Sequence, residues 1–299
     1  MTRLRCSPGA KADPAADEFA SPPSRLLERT LPTFTKPGIF AQAVLIKAET
    51  RFLLFALAAL LAASPRVHAQ GGPPMITDDP GTPGDRHWEI NLAWTDQRTH
   101  GSTQLGLPLL DANYGVGDRI QLNYQASWNV VREQGAEQEN GMSDSQLALK
   151  WRFYDAVDAG LQLSTYPRLT FPSPGSDSDE RWTADPHSSF LLPIEARRDF
   201  GLISVNAEFG RMFSGSADDR GWIGGLCVGR EVSKGWELDA EIHLTADDRF
   251  GRSETILNAG SRYDFDEHAT LLLAIGRDLR NSLETRVPLL TYVGVQVRL

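Results

Sequence analysis

The chain has 299 residues, of which 41% are hydrophobic and 23% charged, and its formal net charge at pH 7 is −9. An acidic chain is a poor partner for the phosphate backbone of nucleic acids, so we expect no nucleic-acid binding. Its 7 Trp, 13 Phe and 6 Tyr residues are too many for a disordered chain. The shortage of long apolar runs excludes a bundle of membrane helices.

The first predicted element is a secretory signal peptide at residues 44–69. Its apolar run, 52–63, would be about 18 Å long as a helix at ~1.5 Å per residue, too short for a hydrocarbon core of about 30 Å. Basic residues precede the run, and small residues form a cleavage site before Gln70. We expect residues 1–43, which are rich in Ala, Pro and Ser, to be an over-extended reading of the start or a disordered N-terminus.

Residues 70–85 follow the cleavage site and contain several Gly and Pro residues together with Thr77, Asp78 and Asp79. Two carboxylates are too few for a calcium site, which needs about six to eight oxygen ligands. Two roles stay open for this segment: a periplasmic tether with Pro-stiffened turns, or a plug that folds into the domain that follows. A plug made of Thr77, Asp78 and Asp79 should restrict passage of solutes.

After this segment, apolar residues recur with a period of two, which predicts β-strands with one apolar and one polar face. In 145–153, for example, Leu149 and Trp151 lie on one side and Lys150 and Arg152 on the other. The same pattern predicts eleven further strands at 87–94, 103–112, 119–128, 160–170, 188–197, 201–211, 221–230, 235–245, 254–263, 269–276 and 287–299.

Long and short connections alternate between these strands, as in a transmembrane antiparallel up-and-down β-barrel. A soluble β-sandwich or lipocalin-like barrel has the same period but buries its apolar face. Three features favour a barrel of about 12 strands in the outer membrane over residues 86–299. The polar faces are charged, aromatic residues lie near strand ends, and the last strand runs to Leu299. The predicted partners are outer-membrane lipid, barrel-assembly machinery at the C-terminal strand, and a small-molecule solute.

In such a barrel the polar faces surround a lumen, because a charged side chain on the lipid face costs roughly 2–4 kcal/mol near the midplane. Opposed acidic and basic walls would line a pore for small solutes or close on each other as salt bridges. The candidate lumen-lining residues are Lys150, Arg152, Arg168, Glu237, Asp239, Glu241, His243 and Arg262.

Short stretches spread over residues 72–299 follow a shared pattern. They are Gly72–Pro80, His87–Leu92, Asn113–Val116, Gln121–Leu122, Leu192–Pro193, Arg198–Gly201, Gly221–Ile223, Ala240–His243, Tyr263–His268 and Leu272–Arg277. The pattern resembles the MetA-pathway of phenol degradation family of outer-membrane barrels, whose members are labelled transporters. The resemblance implies an outer-membrane barrel and, through the family name, uptake of aromatic compounds. It supplies no catalytic residues.

The sequence therefore predicts an outer-membrane channel or transporter for passive uptake of small solutes, including aromatic or hydrophobic ones. Two alternatives stay open: a non-conducting outer-membrane barrel with a structural or surface-interaction role, and a soluble periplasmic barrel for a lipophilic ligand. Ser, His and Asp all occur, but no nucleophile–base pattern stands out. We therefore expect no enzyme activity, no cofactor and no metal.

Overall fold

The computed structural model describes residues 72–173, 187–216, 219–283 and 286–299. The predicted signal peptide and the residues before it lie outside these ranges, as does most of the connection between the predicted strands 160–170 and 188–197. Within these ranges, no helix has the length and apolar character needed to cross a bilayer.

Nearly all of the described chain is β-strand, and every pairing is antiparallel. The strands are β1 Trp88–Arg98, β2 Ser102–Val116, β3 Ile120–Glu133, β4 Glu139–Met142, β5 Ser145–Ala156, β6 Leu161–Thr165, β7 Arg168–Phe171, β8 Ser189–Phe200, β9 Ile203–Ser214, β10 Gly221–Ser233, β11 Trp236–Asp247, β12 Ser253–Asp264, β13 Ala269–Asn281 and β14 Leu289–Arg298. One short 3₁₀ turn, Val157–Ala159, joins β5 to β6.

These elements form twelve barrel strands in one closed sheet. β4 and β5 pair with successive stretches of β3 and together make one barrel strand. β6 and β7 make another, since both pair with β5 and with β8. β14 pairs with β1, with Leu92 opposite Val295, so the sheet has no free edge. The prediction of an antiparallel barrel of about 12 strands is confirmed.

The faces of the strands are inverted relative to those of a water-soluble protein. Trp151 is 50% exposed and Val295 39%, whereas Lys150 is only 2% exposed and Glu241 1%. Buried polar side chains outnumber buried apolar ones among the described residues. Apolar side chains therefore point outward and polar ones inward, as in barrels that face lipid. This arrangement excludes a soluble sandwich with an apolar core.

Several strands extend beyond the apolar stretches from which they were predicted. β2 runs to Val116, and a register shift between Gly106 and Leu109 accommodates Pro108, which lacks a backbone donor. β1 runs on to Arg98, so the first loop shrinks to residues 99–101. β13 likewise continues beyond the predicted residue 276. Polar residues can continue a ladder because backbone pairing does not depend on the side chain.

Candidate functional site

The most unusual part of the molecule is the chain just before β1. Residues 72–81, which we call the inner segment, lie inside the barrel, and Thr77 has no exposed surface. Gly72 accepts a hydrogen bond from Arg262 Nη2 at 2.8 Å. Just after the segment, Thr82 Oγ1 donates to the carbonyl of Asp118 at 2.9 Å, next to the β2–β3 turn. The turns at 117–119, 201–202 and 234–235 lie at the same end of the barrel, which we call the short-turn end. The inner segment is therefore a loop inserted from this end.

One side of the lumen is an acidic wall formed by Glu208 of β9 and by Glu237, Asp239 and Glu241 of β11. The carboxylate of Glu241 accepts the backbone N–H groups of Ile76, at 3.1 Å, and of Thr77. Glu208 accepts the N–H of Asp78 at 3.4 Å. The acidic wall thus holds the inner segment through its peptide groups, which would otherwise be buried without partners.

The other side is a basic wall formed by Lys150 of β5, Arg168 of β7 and Arg197 of β8. Lys150 Nζ lies 2.8 Å from Asp78 Oδ1 and also donates to the carbonyl of Asp79. Arg168 Nη2 lies 3.7 Å from Asp78 Oδ2, and Arg197 Nη1 lies 3.4 Å from Asp79 Oδ2. The basic wall therefore binds the segment through its two side-chain carboxylates.

Two glycines of the lumen wall make room for side chains of the inner segment. A Cβ atom at Gly225 of β10 would overlap the side chain of Thr77, and one at Gly260 of β12 would overlap the side chain of Met75. Gly225 pairs with His243 of β11, beside Glu241. The wall is therefore shaped to fit this segment where its backbone is bound.

The structure groups most of the predicted lumen residues around the segment. Lys150, Arg168, Glu241 and Arg262 contact it directly. Glu237, Asp239 and His243 are buried on the same inward face of β11, and Arg262 Nε lies 3.5 Å from Asp239 Oδ2. Arg152 is different: it lies at the short-turn end of the barrel and pairs with Asp155 at 3.2 Å.

Sequence reasoning did not select Arg197 and Glu208, although both contact the inner segment. Glu195, Arg197 and Asp199 alternate along β8 and face the lumen side, a pattern that could have identified this strand. The surrounding run of apolar residues concealed this pattern, as did the turn implied between the predicted strands 188–197 and 201–211. The structure moves that turn to residues 201–202.

A cavity of about 570 Å³ opens at the short-turn end, next to the inner segment. Among its lining residues are Gly81, Thr82, Arg152, Gln162 and Arg197. Its volume lies within the usual range of small-molecule sites, about 300–1,000 Å³. The cavity lies between the inner segment and the opening of the barrel at its short-turn end, which we call the mouth.

No family model matches this chain, and no curated protein matches it. An outer-membrane channel from Pseudomonas putida F1 has a similar structure, with a TM-score of 0.64 and 14% identity over 77% of this chain and 100% of that one. The KdgM porin in complex with disordered oligogalacturonate has a TM-score of 0.46 and 11% identity over 69% and 98%. The translocator domain of the autotransporter NalP from Neisseria meningitidis has a TM-score of 0.44 and 14% identity over 87% of this chain and 98% of that one. The first likeness shows the barrel fold, and the other two are too distant to argue from.

Proposed function

We propose that the protein is an outer-membrane channel for passive uptake of small solutes, closed at rest by its inner segment. The main support is that a closed barrel with an apolar outer surface has a charged lumen, in which polar contacts hold the inner segment. The similarity to the channel from Pseudomonas putida F1 agrees with this role. The resemblance to the phenol-degradation family points to aromatic or hydrophobic solutes.

The contacts of the inner segment favour a plug over a fixed strut. The segment contacts the walls through ion pairs and hydrogen bonds, and its Thr77 and Met75 side chains lie against Gly225 and Gly260. Such polar contacts can be exchanged for water or for a polar solute at small net cost, because water also satisfies these groups. A twelve-stranded barrel is intermediate between filled eight-stranded barrels and open sixteen-stranded porins. Removing the loop would therefore leave a narrow aqueous path.

The proposal includes the route to the membrane. Residues 44–69 direct export and are removed, so N-terminal sequencing of the exported protein should begin at Gln70. The terminal strand, β14, ends at Arg298, and the backbone of the next residue, Leu299, exchanges hydrogen bonds with Trp88 at 2.8 and 2.9 Å. We propose that assembly machinery in the outer membrane recognises this strand before it closes the barrel.

Planar-bilayer recording tests the channel. We expect deletion of residues 72–81 to raise single-channel conductance severalfold over that of the intact barrel. A second variant, in which these residues are replaced by a Gly/Ser stretch of equal length, should behave like the deletion, because it keeps the chain length and loses the contacts. Folding of both variants is checked on denaturing gels, where the heated, unfolded barrel should migrate more slowly than the unheated, folded one.

A non-conducting barrel is the second candidate, and one observation favours it: the inner segment fills the middle of the lumen and pairs with both walls. If both variants fold and stay as impermeable as the intact protein, the channel is wrong and a structural or surface-interaction role remains. Liposome swelling with sugars and aromatic alcohols would then also show no permeation.

A further inference from the structure

The three cations of the basic wall converge on the two carboxylates of the inner segment. Lys150 depends on the segment most strongly, because its contacts with Asp78 and with the carbonyl of Asp79 are both short. The nearest oxygen of the wall carboxylate Glu195 lies 4.0 Å from its Nζ. The Lys150 side chain is only 3% exposed.

A buried ammonium group is costly without an anionic partner or water. Withdrawal of the inner segment would take both short contacts away from Lys150 and one carboxylate contact from each of Arg168 and Arg197. Guanidinium groups bind carboxylates well because their donors match the two oxygens. Without the inner segment, the basic wall would therefore present three cations that can bind another carboxylate.

Carboxylates of the neighbouring strands, including Glu208 of the acidic wall, moderate this attraction. Arg168 also pairs with Glu195, at 3.4 Å, and with Glu208, while Arg197 pairs with Asp199 at 3.0 Å. Carboxylate binding should therefore be weak. Weak binding suits a channel, since a solute has to leave as well as enter.

An aromatic surface lies in the same place. Tyr166 is 4% exposed, and the centroid of its ring lies 4.6 Å from Lys150 Nζ and 4.7 Å from Arg168 Cζ. Its hydroxyl accepts a hydrogen bond from Gln121 Nε2 at 3.4 Å. Two of the three cations, Lys150 and Arg168, thus lie over an aromatic ring, which helps to hold them in position through cation–π attraction.

We propose that Lys150, Arg168 and Arg197 form a binding site for organic carboxylates. Asp78 and Asp79 occupy it at rest, and a diffusing monocarboxylate takes their place during passage. The inference rests on the proposed channel function and names its solute class. A solute with one carboxylate would compete with the inner segment for the same donors and would favour the open state through its own binding.

Benzoate and benzamide provide a matched pair of probes, since they have the same shape and differ in charge. Calorimetric titration should show benzoate binding to the full mature chain carrying both Asp78→Asn and Asp79→Asn at least tenfold more tightly than to the wild-type chain. Benzamide should bind at least tenfold more weakly than benzoate. Adding Lys150→Met should remove benzoate binding, whereas Lys234→Met, which removes the same charge from an exposed turn, should not.

Equal binding of the two probes, or benzoate binding that survives Lys150→Met, would overturn the site. Equal benzoate affinity in wild type and in the double variant would overturn competition with the inner segment. A measurement on the wild-type chain guards against poor folding of the variants. Cys227 lies on β10 two residues from Gly225 and is buried, so we expect it to react faster when the inner segment leaves the lumen. Benzoate, and not benzamide, should therefore accelerate its alkylation in a saturable way. No acceleration by benzoate counts against the proposal.

Failure of this inference can be separated from failure of the channel. Benzoate binding by a barrel that conducts no ions, even without residues 72–81, would contradict the channel and keep the site. A barrel that conducts ions but binds benzoate no more tightly than benzamide would contradict the carboxylate site and keep the channel.

Discussion

The two walls of the lumen hold the same ten residues by different chemistry. The basic wall binds carboxylate side chains, so it requires Asp78 and Asp79 at their positions. The acidic wall binds backbone N–H groups through Glu241 and Glu208, which almost any residue could supply. The comparison teaches that the basic wall requires carboxylates at two positions of the inner segment. The carboxylates of the acidic wall bind only its peptide groups, and the neighbouring Gly225 makes room for the side chain of Thr77.

Cys227 provides a common measurement for the predictions that follow. It lies on β10, two residues from Gly225, and has no exposed surface. It is also the only cysteine after the predicted cleavage site. We expect its rate of alkylation by a small water-soluble maleimide to rise when the inner segment leaves the lumen.

The largest effect is expected from Lys150→Met, which breaks the basic wall. Removing one partner of a buried ion pair typically costs about 3–5 kcal/mol, because the other charge stays buried. Here the Asp78 carboxylate would keep Arg168, at 3.7 Å, as its charged partner, together with the backbone N–H of Asp79 at 2.8 Å. Alkylation of Cys227 should therefore rise by about 100-fold or more, since each ~1.4 kcal/mol is a tenfold change in population. Lys150→Arg, which keeps the charge, is the control and should retain most of the protection.

Gly225→Leu is expected to act next most strongly, by filling the seat of Thr77 beside the acidic wall. Overpacking of a fitted site costs about 1–3 kcal/mol, so Cys227 should become alkylated about tenfold faster or more. The neighbouring Gly224→Leu is a matched control on the opposite face, where the nearest atom, Phe209 Cδ2, lies 3.9 Å from an added Cβ. Equal rates in the two variants would show that the seat does not hold the segment.

Two substitutions at one position test the acidic wall. Thr77→Pro removes the N–H that Glu241 accepts, at an expected cost of about 1–3 kcal/mol for an unsatisfied buried group. Thr77→Ala keeps the N–H and removes only a hydroxyl that has no hydrogen-bond partner among the described residues. Conductance and Cys227 alkylation should both increase in the first variant and stay near wild type in the second. Equal disruption by the two would mean that this wall also recognises side chains.

The smallest effect is expected at the mouth of the barrel, where Asp264 and Arg298 are among the residues that line the cavity. Asp264 lies 3.8 Å from Arg298, and both side chains are partly exposed. Exposed pairs of this kind contribute about 0–1 kcal/mol. Asp264→Asn should therefore leave Cys227 protected, and the thermal unfolding temperature should fall by no more than a few degrees. A large increase in alkylation would show that the mouth also takes part in closure.

The sequence predicted the barrel because a strand has a side-chain period of two. Alternation in 145–153 was enough to place Trp151 and Lys150 on opposite faces, and the structure has them so. The direction of the faces needed further arguments, since period alone is the same in a soluble barrel. Charged faces and aromatic strand ends supplied those arguments, and the exposures of Trp151 and Lys150 agree with them.

The site was only partly visible in the sequence. Lys150 and Glu241 were selected because they are charged residues on inward faces, and Asp78 and Asp79 because they are paired acids before the first strand. The plug hypothesis placed the two groups in the same domain, but nothing in the pattern paired Asp78 with Lys150 or Glu241 with the backbone of the segment. Gly225 and Arg197 were not selected, since a glycine has no side chain to attract notice and Arg197 lay beside a turn that was placed too early.

Taken by itself, the sequence determined the strands, the polarity of their faces and the approximate strand number, because these follow from local alternation along the chain. Only the tertiary structure decided that residues 72–81 lie in the lumen and that Asp78 meets a lysine 72 positions away. The physical reason is that such a contact depends on how twelve strands close into a cylinder and on the space left inside it. That geometry is a property of the whole sheet, and no single segment encodes it.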